Sequence, residues 1–101
     1  MGTESYELSG TLEGREKTFW STCDGAGRMM SRTQAKKQMS GRDLAKQLAR
    51  AGILVDSTQW SLLAEEAPYA YKDVSAVVET CEGARLSKKV ARLRPLAVVK
   101  G

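Results

Sequence analysis

Ser40 to Gly52 is the segment that most narrows what this chain can fold into. Ser40 has the side chain of a helix N-cap, and Asp43 stands at the capping-box position, although Glu or Gln is the better reciprocal partner. Leu44, Leu48 and Ala51 recur at helical spacing with Ala45 and Ala49 beside them, and Gly52 fits the first position beyond a helix end. A helix with one apolar stripe is stable only against a core, so the rest of the chain must supply one. With 101 residues, 42% hydrophobic and 28% charged, the chain has the ordinary balance of one small globular domain, or of a piece of a larger one.

The remaining elements follow from the same signals. Asp73 caps a second helix in which Val74, Val77, Val78 and Cys81 share a face and Gly83 ends the run. A helix also follows Ser31, and the spacing of four between Arg28, Arg32 and Lys36 puts three cations on one side if the helix runs through them. Residues 11–23 leave the choice open, with a helix start at Arg15 to Phe19 as one option. Ser5 to Ser9 alternates polar and apolar residues and predicts a strand ending at Gly10. Ile53-Leu54-Val55 reads as a short buried strand, and Val90 to Val99 as a strand in which Pro95 demands an edge or a bulge. Pro68 sits in a turn. With three or so helices, short mixed strands and no repeating strand-helix-strand rhythm, the class is α+β.

Composition removes several functions. The chain has no His, which takes away the commonest metal ligand and the usual general base. Its two cysteines, Cys23 and Cys81, make neither a zinc motif nor a disulfide framework, and read as buried thiols in a reducing compartment. No apolar run is long enough to span a membrane, and the first ten residues lack a signal-peptide pattern, so a cytoplasmic protein with no membrane partner is expected. Tyr6 also stands where a myristoylation motif wants Ser or Thr. The formal charge of +4 is unevenly laid out. Residues 28–50 hold seven Lys or Arg against one acid, and residues 85–101 hold six against none. Residues 1–27 hold two against five, and residues 51–84 one against six. Such blocks permit a cationic face for nucleic acid or phosphate, although solvated helix and strand surfaces give the same pattern.

Asp24-Gly25-Ala26-Gly27-Arg28 is the stretch with the most chemistry. Its glycines let backbone N–H groups approach an anion, a helix downstream adds its positive end, and Arg28 adds a charged donor. Asp24 works against this, because a carboxylate repels phosphate. Glu65-Glu66 reads as a solvated acidic patch, since adjacent residues do not converge on one helical face. Trp20, Trp60, Tyr69 and Tyr71 are scattered; any of them could stack on a base, but core packing is the usual fate of an aromatic, and Met29, Met30 and Met39 read as core filler. Lys100 has no role that composition can assign.

Four stretches together resemble the C-terminal part of the RtcB family of RNA-splicing ligases. They are Met1-Gly2-Thr3 with Ser5-Tyr6, Cys23 to Arg32, Glu65 to Val74, and Arg94 to Gly101. The resemblance covers residues 1–101 as a single segment and only the last part of a much longer family sequence. It implies an α+β fragment of a ligase that uses GTP and Mn²⁺. A family histidine becomes guanylated, GMP passes to an RNA 3′-phosphate derived from a 2′,3′-cyclic phosphate, and a 5′-hydroxyl end completes the join. The implied biology is tRNA splicing and RNA repair, with tRNA halves as substrates and archease as a helper.

Carried over residue by residue, Asp24 occupies the position of the guanylated histidine. Gly25, Ala26 and Gly27 match the loop around bound GMP, and Ser5 a polar nucleotide contact. Tyr71, in Tyr71-Lys72-Asp73, matches an aromatic residue at the guanine site, and Lys100 a terminal lysine that contacts the nucleotide. Arg28, Arg32 and Lys36 are candidate phosphate contacts. The family's metal ligands, mostly His with an Asp and a Cys, lie in the N-terminal part that this chain lacks, so no metal site is expected here. With Asp24 at the nucleophile position, the chain alone is expected to be catalytically inactive and to keep a residual guanine-nucleotide pocket. The alternatives are an RNA-binding module without chemistry and an interaction module that buries exposed apolar surface by self-assembly or against the missing part of the ligase.

Overall fold

A computed structural model describes all 101 residues, which form two compact units. The first comprises residues 1–3, 28–71 and 94–101, and the second residues 4–27 and 72–93. The architecture is α+β, with strands β1 (Ser5–Gly10), β2 (Leu54–Ser57), β3 (Ser87–Leu93) and β4 (Ala97–Lys100). The α-helices are α1 (Leu12–Thr18), α2 (Arg32–Gln38), α3 (Gly41–Arg50), α4 (Trp60–Leu63) and α5 (Val74–Gly83). This exceeds the three or so helices expected, because α1 and the single-turn α4 are too short to show a period. No helix is long and apolar enough to cross a membrane.

The first unit is organised by α3. Ser40 Oγ accepts from the Asp43 N–H at 3.1 Å and donates to the Asp43 carboxylate at 2.8 Å, while Gly52 takes φ +82° just beyond the helix. Leu44 and Leu48 pack with Ile53, Leu63 and Ala67 into a buried cluster, flanked by Met1, Met39, Val55, Trp60, Tyr69 and Val98. Each such leucine contributes about 1.5–3 kcal/mol by leaving water. Gly41 is required by a close approach, because a Cβ there would lie 1.8 Å from the Trp60 carbonyl oxygen.

Ser31 caps α2 with a complete capping box to Gln34, so the helix begins at Arg32. Arg28 therefore lies outside it, and the expected three-cation helix face is not formed as a helix face. Pro68 opens a 3₁₀ turn, Pro68–Ala70, preceded by another, Ala64–Glu66.

Strands β2 and β4 pair in parallel, from Leu54 opposite Ala97 to Ser57 opposite Lys100. Alternation turns Val55 and Val98 to the core, whereas Leu54 is 73% exposed. Of the buried run expected at residues 53–55, only Ile53 is fully buried. Met29 is likewise 69% exposed rather than core filler.

In the second unit, β1 and β3 pair antiparallel, from Ser5 opposite Leu93 to Gly10 opposite Ser87, with a register irregularity at Glu7/Leu8. Thr11 caps α1 by accepting from the Gly14 N–H at 2.9 Å. The helix ends on two residues in the left-handed region, Phe19 (φ 53°) and Trp20 (φ 66°). The Trp20 N–H closes that turn on the Gly14 carbonyl at 3.1 Å, and the Trp20 ring stays largely exposed rather than entering a core. Asp73 caps α5 by accepting from the Ser75 N–H at 2.9 Å. The expected strand over Val90 to Val99 is two strands, because Arg94-Pro95-Leu96 breaks the ladder between β3 and β4.

Replacing Gly41 with Ala is expected to lower stability by about 3 kcal/mol, through overlap with a backbone carbonyl that cannot move aside. Gly25→Ala, whose Cβ meets nothing within 4 Å, is expected to stay within about 0.5 kcal/mol of the parent. Urea unfolding midpoints read both.

Candidate functional site

The densest polar cluster of the first unit centres on Arg28. An isolated bridge pairs Arg28 with Tyr71, and the Met29 N–H donates to the Ala70 carbonyl at 2.8 Å. The guanidinium then reaches three acceptors. Nε donates to the Met30 carbonyl at 3.1 Å, Nη1 to the Tyr71 hydroxyl at 2.9 Å and Nη2 to the Glu65 carbonyl at 2.6 Å. It also lies 4.8 Å from the Tyr71 ring centroid. The Tyr71 hydroxyl donates in turn to the Glu66 carboxylate.

Glu65 faces the other way, with Lys36 Nζ at 2.7 Å and Arg32 Nε at 3.6 Å. The acidic pair is thus not a solvated patch. The two side chains are only 15% and 23% exposed, and the short 3₁₀ turn sends one to α2 and the other to Tyr71. Arg28, Arg32 and Lys36 do come together, but on these two carboxylates.

The hydrogen bond from Tyr71 holds the Glu66 carboxyl below the usual range, against the opposing effect of burial, with the charges of Lys100, Arg28 and Arg32 assisting. Burial and the bond to Glu66 push the Tyr71 phenol above its ordinary value. Lys100 ends β4 and is half-buried. Tyr71 thus bonds the Glu66 carboxylate directly, whereas Lys100 makes no ion pair with it and only its charge assists. Sequence reasoning missed Glu66 and the orienting role of Arg28, since no spacing relates positions 28, 66 and 71.

The other candidates lie in the second unit. Asp24, Gly25, Ala26 and Gly27 form an irregular loop in which Gly27 takes φ +76°. A Cβ at Gly25 or Gly27 would meet nothing within 4 Å, so the loop backbone is open to an approaching group. The Gly27 carbonyl accepts from the Lys72 N–H at 3.0 Å. Asp24 is exposed, and Ser5 is exposed at the start of β1. Cys23 and Cys81 are free, half-buried thiols, and burial together with the Cys81 partner pushes the Cys23 thiol up.

No group of three or more His, Cys, Asp or Glu side chains converges in this chain.

Known proteins match this chain over its full length. A family model described as tRNA-splicing ligase RtcB matches residues 1–101. The tRNA-splicing ligase RtcB of Methanopyrus kandleri is 54% identical over all 101 residues, which span 10% of that protein. The corresponding protein of Archaeoglobus fulgidus is also 54% identical, with 21% of its length covered. RNA-splicing ligase RtcB homolog 2 of Entamoeba dispar is 54% identical, with 19% covered. The chain thus spans about a fifth or less of the curated relatives it matches.

Tyr71→Phe removes the donor that holds Glu66 ionised, so the Glu66 titration midpoint is expected to rise, as read by carboxyl-carbon NMR. The stability contributed by this pairing is complete above about pH 4.3, the ordinary glutamate value, and is lost as the pH falls through the lowered native value.

Proposed function

The chain belongs to the RtcB family, and from that premise we propose that it is the nucleotide-holding segment of an RNA ligase, corresponding to the C-terminal part of the longer relatives. The parent reaction joins an RNA 3′-phosphate or 2′,3′-cyclic phosphate end to a 5′-hydroxyl end, as in tRNA splicing, with tRNA halves as substrates and archease as a helper. GTP supplies the activated phosphate in that reaction, and manganese assists from ligands outside this chain.

The observation that carries the reading is the Arg28–Tyr71–Glu66 network, in which the guanidinium lies against the Tyr71 ring and the hydroxyl is held between Arg28 and Glu66. A planar phenol locked by Arg28 gives a base a wall, and Lys100 gives it a hydrogen-bond donor. Locking the phenol in advance lowers the ordering cost of binding. In the second unit, the family resemblance makes Gly25, Ala26 and Gly27 backbone donors to a phosphate and Ser5 a hydroxyl donor.

Alone, the segment is inert. Asp24 stands where the family's nucleophilic histidine belongs, and an acyl-phosphate anhydride formed there would hydrolyse more readily than a phosphoramidate. The carboxylate also opposes an incoming triphosphate. By itself the segment offers a weak guanine-nucleotide pocket, with a dissociation constant on the order of millimolar, because it spans about a fifth or less of the relatives' length and so supplies few of the contacts.

Titrating the chain with GMP is expected to move the amide resonances of Gly25, Ala26, Gly27, Tyr71 and Lys100. Tyr71→Ala or Lys100→Ala is expected to weaken the response about tenfold, the loss of one directed contact. A dispersed spectrum that ignores GMP overturns the pocket. In a full-length relative, placing Asp at the position that aligns with Asp24 is expected to abolish joining of 2′,3′-cyclic-phosphate and 5′-hydroxyl RNA. Persistent ligation there overturns the claim that Asp24 disables the chemistry.

A further inference from the structure

Beside the start of α3 lies an open cavity of about 320 Å³ that the preceding reading does not use. Its floor is apolar. Trp60 and Met39 rest half-buried on the main core cluster, and Ala64 is fully buried. One wall is the first turn of α3, held against the Trp60 carbonyl because Gly41 carries no side chain. The rim is cationic. Lys36 Nζ is fixed at 2.7 Å from Glu65, whereas Arg42 is exposed, pairs with no carboxylate and lies 5.5 Å from the Trp60 ring centroid.

The Arg42 guanidinium lies over the Trp60 ring, and being exposed and without a carboxylate it is free to swing aside, admit a flat ring onto Trp60 and hold the anion that ring carries. Of the seven Lys or Arg in residues 28–50, Arg28, Arg32 and Lys36 are taken by Glu65 and Glu66 and Lys46 lies 4.0 Å from Asp43, which leaves Lys37, Arg42 and Arg50 without a carboxylate, so the complementary occupant is a polyanion rather than a neutral peptide. Bases of a duplex are stacked and cannot reach such a floor, whereas those of a single strand can.

We propose that this cavity is a subsite for one unpaired nucleotide of single-stranded RNA, its base stacked on Trp60 and its phosphate held by Arg42. The inference rests on the family reading, since it takes RNA as the polymer handled. It is independent of the guanine site, because Arg42 and Trp60 take no part in the Arg28–Tyr71–Glu66 network.

The test uses a fluorescein-labelled ten-nucleotide oligouridylate and the whole chain. In a Trp20→Phe background Trp60 is the sole tryptophan, and its emission is expected to be quenched as the oligonucleotide binds. Arg42→Ala is expected to weaken binding about tenfold and to make the logarithmic salt dependence shallower by about 0.7, the signature of one lost single-strand phosphate contact. The GMP-induced shifts at Tyr71 and Lys100 are expected to survive that substitution. Arg42 is exposed, so its variants keep the fold, which substitution of the core-packed Trp60 does not guarantee.

Unchanged affinity in Arg42→Ala and Arg42→Glu, or Trp60 emission indifferent to the oligonucleotide, overturns the proposal. Quenching by GMP alone as strong as by the oligonucleotide overturns it in favour of a free nucleotide. Self-association that Arg42→Glu abolishes, without RNA binding, overturns it in favour of a protein contact. Oligonucleotide effects as expected, with no response to GMP at Tyr71 or Lys100, uphold the subsite and remove only the guanine pocket.

Discussion

The guanidinium of Arg28 is the fixed point around which the candidate site is built. Its planar fork donates to two backbone carbonyls and to the Tyr71 hydroxyl, and its face lies against the Tyr71 ring. An ammonium could not meet these demands together, because it lacks the rigid fork and the flat surface. Everything downstream depends on that geometry. Tyr71 is held with its hydroxyl aimed at Glu66, and the 3₁₀ turn that carries Glu65 and Glu66 is pinned through the Glu65 carbonyl. Hydrogen bonds to charged groups contribute about 1.5–3 kcal/mol, and partial exposure here places each near or below the lower end of that range.

The fold supplies the same cluster from the other side. Parallel pairing of β2 with β4 sets Val98 against the core and Lys100 two residues further along the same face. The lysine thereby becomes half-buried and its charge is felt by Glu66. A one-residue slip of β4 would put Val99 on the core side and turn Lys100 outward, so strand register and site chemistry are one constraint.

Much of the fold was legible because caps are local. Ser40 with Gly52, Asp73, and the break at Pro95 all act through groups within a few residues of themselves. The end of α1 was not legible, because its left-handed residues are Phe19 and Trp20, where a glycine would have marked the turn. The position of Arg28 outside α2 turned on Ser31 claiming the cap. The burial of Glu65 and Glu66 was hidden for another reason: their cationic partners lie 29 to 38 residues away in sequence, where no periodicity reaches. Tyr71 and Lys100 became visible as site residues only through the family resemblance. Residue types alone gave an aromatic and a terminal lysine no shared purpose.

Pairing also converts the block charges of the sequence into something more specific. The acids of the 51–84 block are largely neutralised where they fold, Glu65 by Lys36 and Arg32, Glu66 by Arg28, and Glu79 and Glu82 by Lys89. Glu4 and Glu13 are answered by Arg92, and by Lys17 and Arg85. Cations such as Arg42 are left without a carboxylate, and the anion Asp24 is left without a cation. Two unit charges 4 Å apart in a partly screened protein environment interact by about 4 kcal/mol, enough to reverse the preference of a glycine loop for phosphate. The loop keeps the open backbone suited to an anion while its first residue opposes one. Arg42, which has no carboxylate beside it, carries no such opposition.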